Sequence, residues 1–264
     1  MRTLLDEIFE IKTNTHHSCG CKACQGSNRK QHNGINEELG TSRIISSLTC
    51  NPHELRSVQA VLGRRATYRE LESGLKQRAK IAAAWCIKAA QALEKNPRST
   101  TARRIFLQAF RVRPEYAAEW LKKQGWNSRG ALVAHRLRRV ATMLTDGSIR
   151  YFCKGHKAYC PECVDASNPS YNTWTDDFAC SSFAKKRVIC LGEAFWEQWK
   201  GGHVSDNINT LMHEALHIYF GNLIAHGHRG KFSDANCYSF FVLQMNNKPV
   251  PARVRARCQA TPVR

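Results

Sequence analysis

Apolar residues recur at helical spacing through the first half of the chain and shorten into brief runs in the second. Leu71, Leu75, Ala82, Trp85, Ala89 and Leu93 mark one face of a long helix. Thr67 followed by Glu70 predicts a capping box at its start, and Asn96-Pro97 a stop. Further helices are predicted from about Thr101 to Arg111, from Pro114 to Lys123 with Gly125 beyond it, and over Arg129–Leu144 up to Asp146-Gly147. Their aromatic and aliphatic residues are read as core, and so are Cys86 and, near the C-terminus, Cys237.

After Gly147 the pattern changes. SIRYFC (148–153) and RVICL (187–191) read as short strands, separated by a connection rich in Cys, Pro and Asn. FWEQW (195–199) follows, then a helix holding HEALH, a His/Gly loop, and a last helix from Ser233 to about Met245. The expected fold class is α+β: a mostly helical N-terminal part, then a catalytic part with a small sheet packed on the HEALH helix. The expected division is 1–50, a Cys- and His-containing leader; 51–145, a basic helical region; 146–248, a catalytic core; and 249–264, a basic tail.

Charge changes the picture more than bulk composition does. The chain of 264 residues carries 40 Lys and Arg against 21 Asp and Glu, a formal net charge of +19. Residues 51–150 hold 21 basic and 7 acidic side chains, so +14 of that excess sits in the helical region. Such a field favours a polyanionic partner, nucleic acid or an acidic surface, or else is a solvated helical face. The start MRTLLDEIFEIK lacks the basic opening and apolar run of a signal peptide, and no stretch has the length of a transmembrane segment. The expectation is synthesis in the cytoplasm, with any export by a route that needs no signal peptide. Twelve cysteines leave three readings open: disulfides, metal ligands or buried thiols. In the leader, His16, His17, Cys19, Cys21 and Cys24 are close enough in sequence to hold a small metal site.

The candidate chemistry lies in LMHEALHIYFGNLIAHGHRGKF (211–232). On a helix, positions four apart share a face, so His213 and His217 can aim both imidazoles at one ion. Glu214 stands beside them as the base that would take a proton from water, and the cofactor implied is Zn2+. A third ligand must come from further along the chain. Leu223 occupies the place of a metzincin third histidine, and no glutamate stands near the thermolysin-like spacing, where Asp234 and Asn236 lie. His226 and His228, in a glycine-bearing loop, remain as donors.

The run from 149 onward resembles the deuterolysin and peptidyl-Lys metalloendopeptidase family, the aspzincins. The matching pieces are IRYFC, VICLGEAFW, TLMHEALH and DANCYSFF, in the family's order. The resemblance implies a zincin-like fold and a zinc endopeptidase. It also implies a third ligand from an Asp in a loop of the form D-x-x-Y-G. HGHRG (226–230) lies on that loop with His226 at the Asp and Arg229 at the Tyr that steadies the oxyanion. His226 is therefore the leading third ligand, with His228 and Asp234 as rivals, and Arg229, Tyr219 or Tyr238 as oxyanion stabilisers. Asn236 and Ser239 stand where lysine-specific members have acids, so lysine specificity is not implied. The resemblance also allows Cys153 and Cys190, at the ends of neighbouring strands, to pair.

The loop layout is also similar to Spartan/SprT-like proteases, which implies a protease acting on DNA-bound proteins and again points to His226. A third class is a non-enzymatic zinc or nucleic-acid binder using the C-x-x-C of Cys160 and Cys163 with Cys153 or Cys180.

Overall fold

Local capping starts the helical half. The computed structural model describes residues 48–95, 99–154, 179–182, 187–221 and 230–263. Helix α1 (Pro52–Leu62) opens on Asn51, whose side chain accepts from the Glu54 backbone N–H at 2.9 Å. The Glu54 carboxylate accepts from the Asn51 N–H at 3.0 Å and completes a capping box. Gly63 ends α1 at φ +66°, in the left-handed region that favours glycine. Helix α2 (Tyr68–Lys95) starts as expected, with Thr67 Oγ1 accepting from the Glu70 N–H at 3.2 Å. Helices α3 (Thr100–Phe110), α4 (Glu119–Lys123) and α5 (Arg129–Thr145) follow.

The helix expected from Pro114 begins only at Glu119. Pro114 is buried and its carbonyl accepts from the Gly130 N–H at 2.7 Å, while Ala118 is extended at φ −69°, ψ 153°. Residues 114–118 are thereby committed to bracing the start of α5.

The two expected strands form, as β2 (Arg150–Phe152) and β4 (Val188–Leu191). They join β1 (Leu48–Thr49) and β3 (Ala179–Ser182) in a four-stranded mixed sheet of order β1-β2-β4-β3. β1, β2 and β4 are parallel, with Tyr151 opposite Ile189, and β3 closes the edge antiparallel to β4. The fold is α+β, as the sequence pattern predicts. β1 draws residues 48–49, expected in the leader, into the sheet. Residues 1–47 of the leader lie outside the described residues.

Helix α6 (Glu193–Lys200) leads into α7 (Val204–Phe220), which carries the HEALH stretch. Asn207 is fully buried near the start of α7, donating to the Phe195 carbonyl at 2.9 Å and accepting from Arg78 Nε at 3.3 Å. The Arg78 guanidinium lies 3.4 Å from the Trp199 ring centre, so α2, α6 and α7 are tied at one point. Gly74 makes this possible, since a Cβ there would meet the Trp199 ring at 2.7 Å. β3 lies against α7, and one hydrophobic core runs from α2, α3 and α5 through β2 and β4 to α7 and α8 (Ala235–Met245).

The C-terminal stretch, expected as a tail, folds as helix α9 (Ala252–Ala260). Val254 and Cys258 face inward, and Cys258 is bonded to Cys237 of α8. Cys237 is thus a buried cystine rather than a core thiol. Cys153 pairs with Cys50, not with Cys190, because β1 brings residue 50 beside the end of β2. Cys180 and Cys190 each belong to a disulfide as well, and Cys86 is a buried thiol. Among the described residues no helix is long and apolar enough to cross a membrane.

Candidate metal centre

Helix α7 is uninterrupted from Val204 to Phe220, and Gly221, at φ +78°, ends it. One turn of helix separates His213 from His217, so their rings meet edge to face on one side of α7 with centroids 4.7 Å apart. Their Nε2 atoms converge to 3.0 Å. Two nitrogens bound tetrahedrally to one zinc would stand about 3.3 Å apart, from Zn–N distances of about 2.0–2.1 Å. The observed pair is close to that spacing. Glu214 joins them: one nitrogen from each histidine and one Glu214 carboxylate oxygen all lie within 4.8 Å of one another. Glu214 is 8% exposed and His217 5%, while His213 is half-buried, so bulk water reaches the group mainly on the His213 side.

The outer side of His213 is held by α8. Ser239 is fully buried and its Oγ lies 3.3 Å from His213 Nδ1. With Nδ1–H donating to the hydroxyl, Nε2 carries its lone pair toward His217, the tautomer that a metal ligand needs. Asn236, one turn earlier on α8, takes no part in this contact and donates to Asp234 Oδ1, from its N–H at 2.8 Å and from Nδ2 at 3.1 Å. In the sequence Ser239 stands out only as a missing acid one turn after Asn236, and nothing there ties it to His213.

Asp234 is 1% exposed, and both its oxygens are engaged. Oδ1 caps α8, and Oδ2 accepts from the Thr261 hydroxyl of the C-terminal segment. The rival ligand Asp234 is thus committed to a structural cap. His226, His228 and Arg229 lie outside the described residues, as do Cys160 and Cys163.

Tyr238 is not placed as an oxyanion donor. It is fully buried between Phe110 and Phe220, its hydroxyl donates to the Phe232 carbonyl at 3.2 Å, and the hydroxyl oxygen accepts from Arg136 Nη1 at 3.2 Å. Burial pushes the Tyr238 hydroxyl above its ordinary pKa. Arg136 also donates to the Phe232 carbonyl and lies 5.3 Å from the Phe220 ring centre. Burial opposes the Arg136 charge, but Tyr238 and Tyr219 outweigh it and the net shift is upward. Tyr219 is half-buried at the end of α7, on the Arg136 side.

Cys50, Glu54 and Cys153 form a second cluster, but its two sulfurs are spent in a disulfide. Among the described residues, the two histidines and Glu214 are therefore the one cluster with donors to offer a metal. No protein-family model, characterised protein or solved structure matches this chain.

Proposed function

We propose that this protein is a zinc-dependent endopeptidase. The observation that carries the reading is the convergence of His213 and His217 Nε2 to 3.0 Å beside the nearly buried Glu214, with Ser239 set against the far side of His213. Zinc, when bound, supplies a Lewis acid that polarises a peptide carbonyl and makes water more acidic. His213 and His217 would hold the metal as neutral imidazoles. Glu214 accepts a proton from the attacking water and returns it to the departing amide nitrogen. The enclosed setting strengthens each of these electrostatic contacts.

The aspzincin resemblance supports the same chemistry and supplies His226 as the third ligand, with Arg229 facing the oxyanion. With Asp234 engaged as a helix cap, residues 222–229 of the sequence are the favoured source of that ligand. Lysine preference is not part of the reading, because Asn236 and Ser239 leave no carboxylate at the positions where the family has acids. The basic excess over 51–150 adds a polyanionic partner as a second component.

Zinc content tests the reading. Wild-type protein should retain one zinc per chain after dialysis, and His213→Ala, His217→Ala and His226→Ala should each lose it. Full occupancy in His213→Ala would remove the centre altogether. Full occupancy in both His226→Ala and His228→Ala would remove the loop as the source of the third ligand.

A further inference from the structure

The peptidase reading leaves unused the surface between α3 and α5. Arg129 is only 6% exposed there, and its Nε and Nη1 have no hydrogen-bond partner among the described residues. Its guanidinium lies instead over rings, 4.3 Å from the Phe232 centre, 5.1 Å from Trp120 and 5.8 Å from Tyr116. Buried N–H donors that find no acceptor are costly, and an arginine does not give up its charge to relieve them. The rings offset part of that cost, while an anionic oxygen would offset more.

The same rings reach the surface. Tyr116 is 55% exposed and Trp120 41%, whereas most other large hydrophobic side chains are covered. Residues 111–129 contain five basic and two acidic side chains, and one of those acids, Glu115, is paired with Arg103 at 3.1 Å. Lys122 and Lys123 are exposed beside Trp120 in the sequence and on the same short helix. The backbone N–H groups that open α5 play no part, since those of Arg129, Gly130 and Ala131 are already bonded.

Exposed aromatic faces among cations suit one chemistry better than others. Unpaired bases present π-faces to stack on tyrosine and tryptophan, while the phosphates between them meet arginine and lysine. A duplex or an acidic peptide would satisfy the cations and leave the rings idle. We propose that this surface binds single-stranded nucleic acid, with Tyr116 and Trp120 stacking on bases, Lys122 and Lys123 taking phosphates, and the Arg129 charge beneath the rings adding to the field that draws the strand in. The proposal rests on the polyanion component of the reading above and is independent of peptide hydrolysis.

The test is fluorescence anisotropy of a labelled 15-nucleotide oligo(dT) titrated with the full chain at 50 and 200 mM NaCl. Trp120→Ala and Tyr116→Ala, at exposed positions and checked for folding by circular dichroism, should each weaken binding roughly 5- to 150-fold. Lys122→Ala should weaken it less and flatten the dependence of log K on log salt by about 0.7. Duplex DNA of equal length, poly-glutamate and phosphatidylserine vesicles should compete at least tenfold less well than unlabelled oligo(dT). Failure of wild type to bind at 50 mM NaCl would overturn the polyanion component and this surface together. Binding unchanged in both ring variants would overturn this surface and leave the polyanion component standing. Stronger competition by poly-glutamate, vesicles or duplex would overturn single-stranded nucleic acid as the ligand.

Discussion

Ser239 Oγ lies 3.3 Å from His213 Nδ1, across the contact between α8 and α7. This joins the helix that carries the histidine pair to a helix that is itself fixed by the Asp234 cap and the Cys237–Cys258 bond. A group that orients a ligand imidazole from outside is generally worth 10- to 100-fold in metal affinity. Ser239→Ala should therefore bind zinc about 10- to 100-fold more weakly in a chelator competition, with its thermal midpoint little changed. Unaltered affinity would mean that the hydroxyl does not orient His213.

Tyr238 makes its bonds inside the core, to the Phe232 carbonyl and Arg136. Tyr238→Phe should cost about 1 kcal/mol of stability, the usual worth of a buried hydrogen bond. Its kcat/KM on a peptide substrate should fall less than about threefold. A drop of 100-fold with normal stability would return the hydroxyl to the oxyanion role that its position in the sequence suggests.

The two disulfides between described residues close loops of different size, with sequence separations of 103 for Cys50–Cys153 and 21 for Cys237–Cys258. Chain entropy predicts about 4.7 kcal/mol for the longer and about 3 kcal/mol for the shorter. In urea unfolding, Cys50→Ser should be destabilised more than Cys258→Ser. Cys258→Ser should also lose zinc affinity, because it releases the helix bearing Ser239. Equal zinc affinity in the two variants would separate the α8–α9 bond from the metal centre.

Cys86 is fully buried, and burial pushes its thiol up to about 12. In the unfolded chain a thiol ionises near about 8.5. The unfolded state therefore loses this proton first. The contribution of Cys86 is fully present below about pH 8.5 and is lost as pH rises toward 12. Urea midpoints measured from pH 8 to 10.5 should decline, and Cys86→Ala should decline less steeply. A thiol reagent at pH 8 should find Cys86 unreactive until the protein unfolds. Rapid labelling of the folded chain would contradict its burial.

The parts of this fold written in local pattern were legible beforehand. Thr67 and Glu70 announce α2, and Leu71, Leu75 and Ala82 give its buried face. The strands at Arg150–Phe152 and Val188–Leu191 show in their apolar runs. The pair His213 and His217 follows from helical period alone. What depends on distant partners was not legible. The two-residue strand Leu48–Thr49 exists because β2 pairs with it. Cys153 finds Cys50 through that pairing. Helix α9 is held by α8 and by Cys237, although Val254 and Cys258 lie four apart and offered a faint signal. Asn51, Pro52 and Glu54 spelled a capping box for α1 that could have been read directly. Ser239 was seen as a lost acid, and its role appears only when α8 is set against α7.

The central claim is that Glu214 moves a proton for a metal held by His213 and His217. The most direct measurement is casein cleavage by zinc-loaded wild type and by Glu214→Gln at matched zinc content. General-base removal generally costs about 10²- to 10⁴-fold. Wild type should cleave, and Glu214→Gln should lose at least 100-fold in rate with its zinc retained. Cleavage by Glu214→Gln at the wild-type rate would contradict the claim.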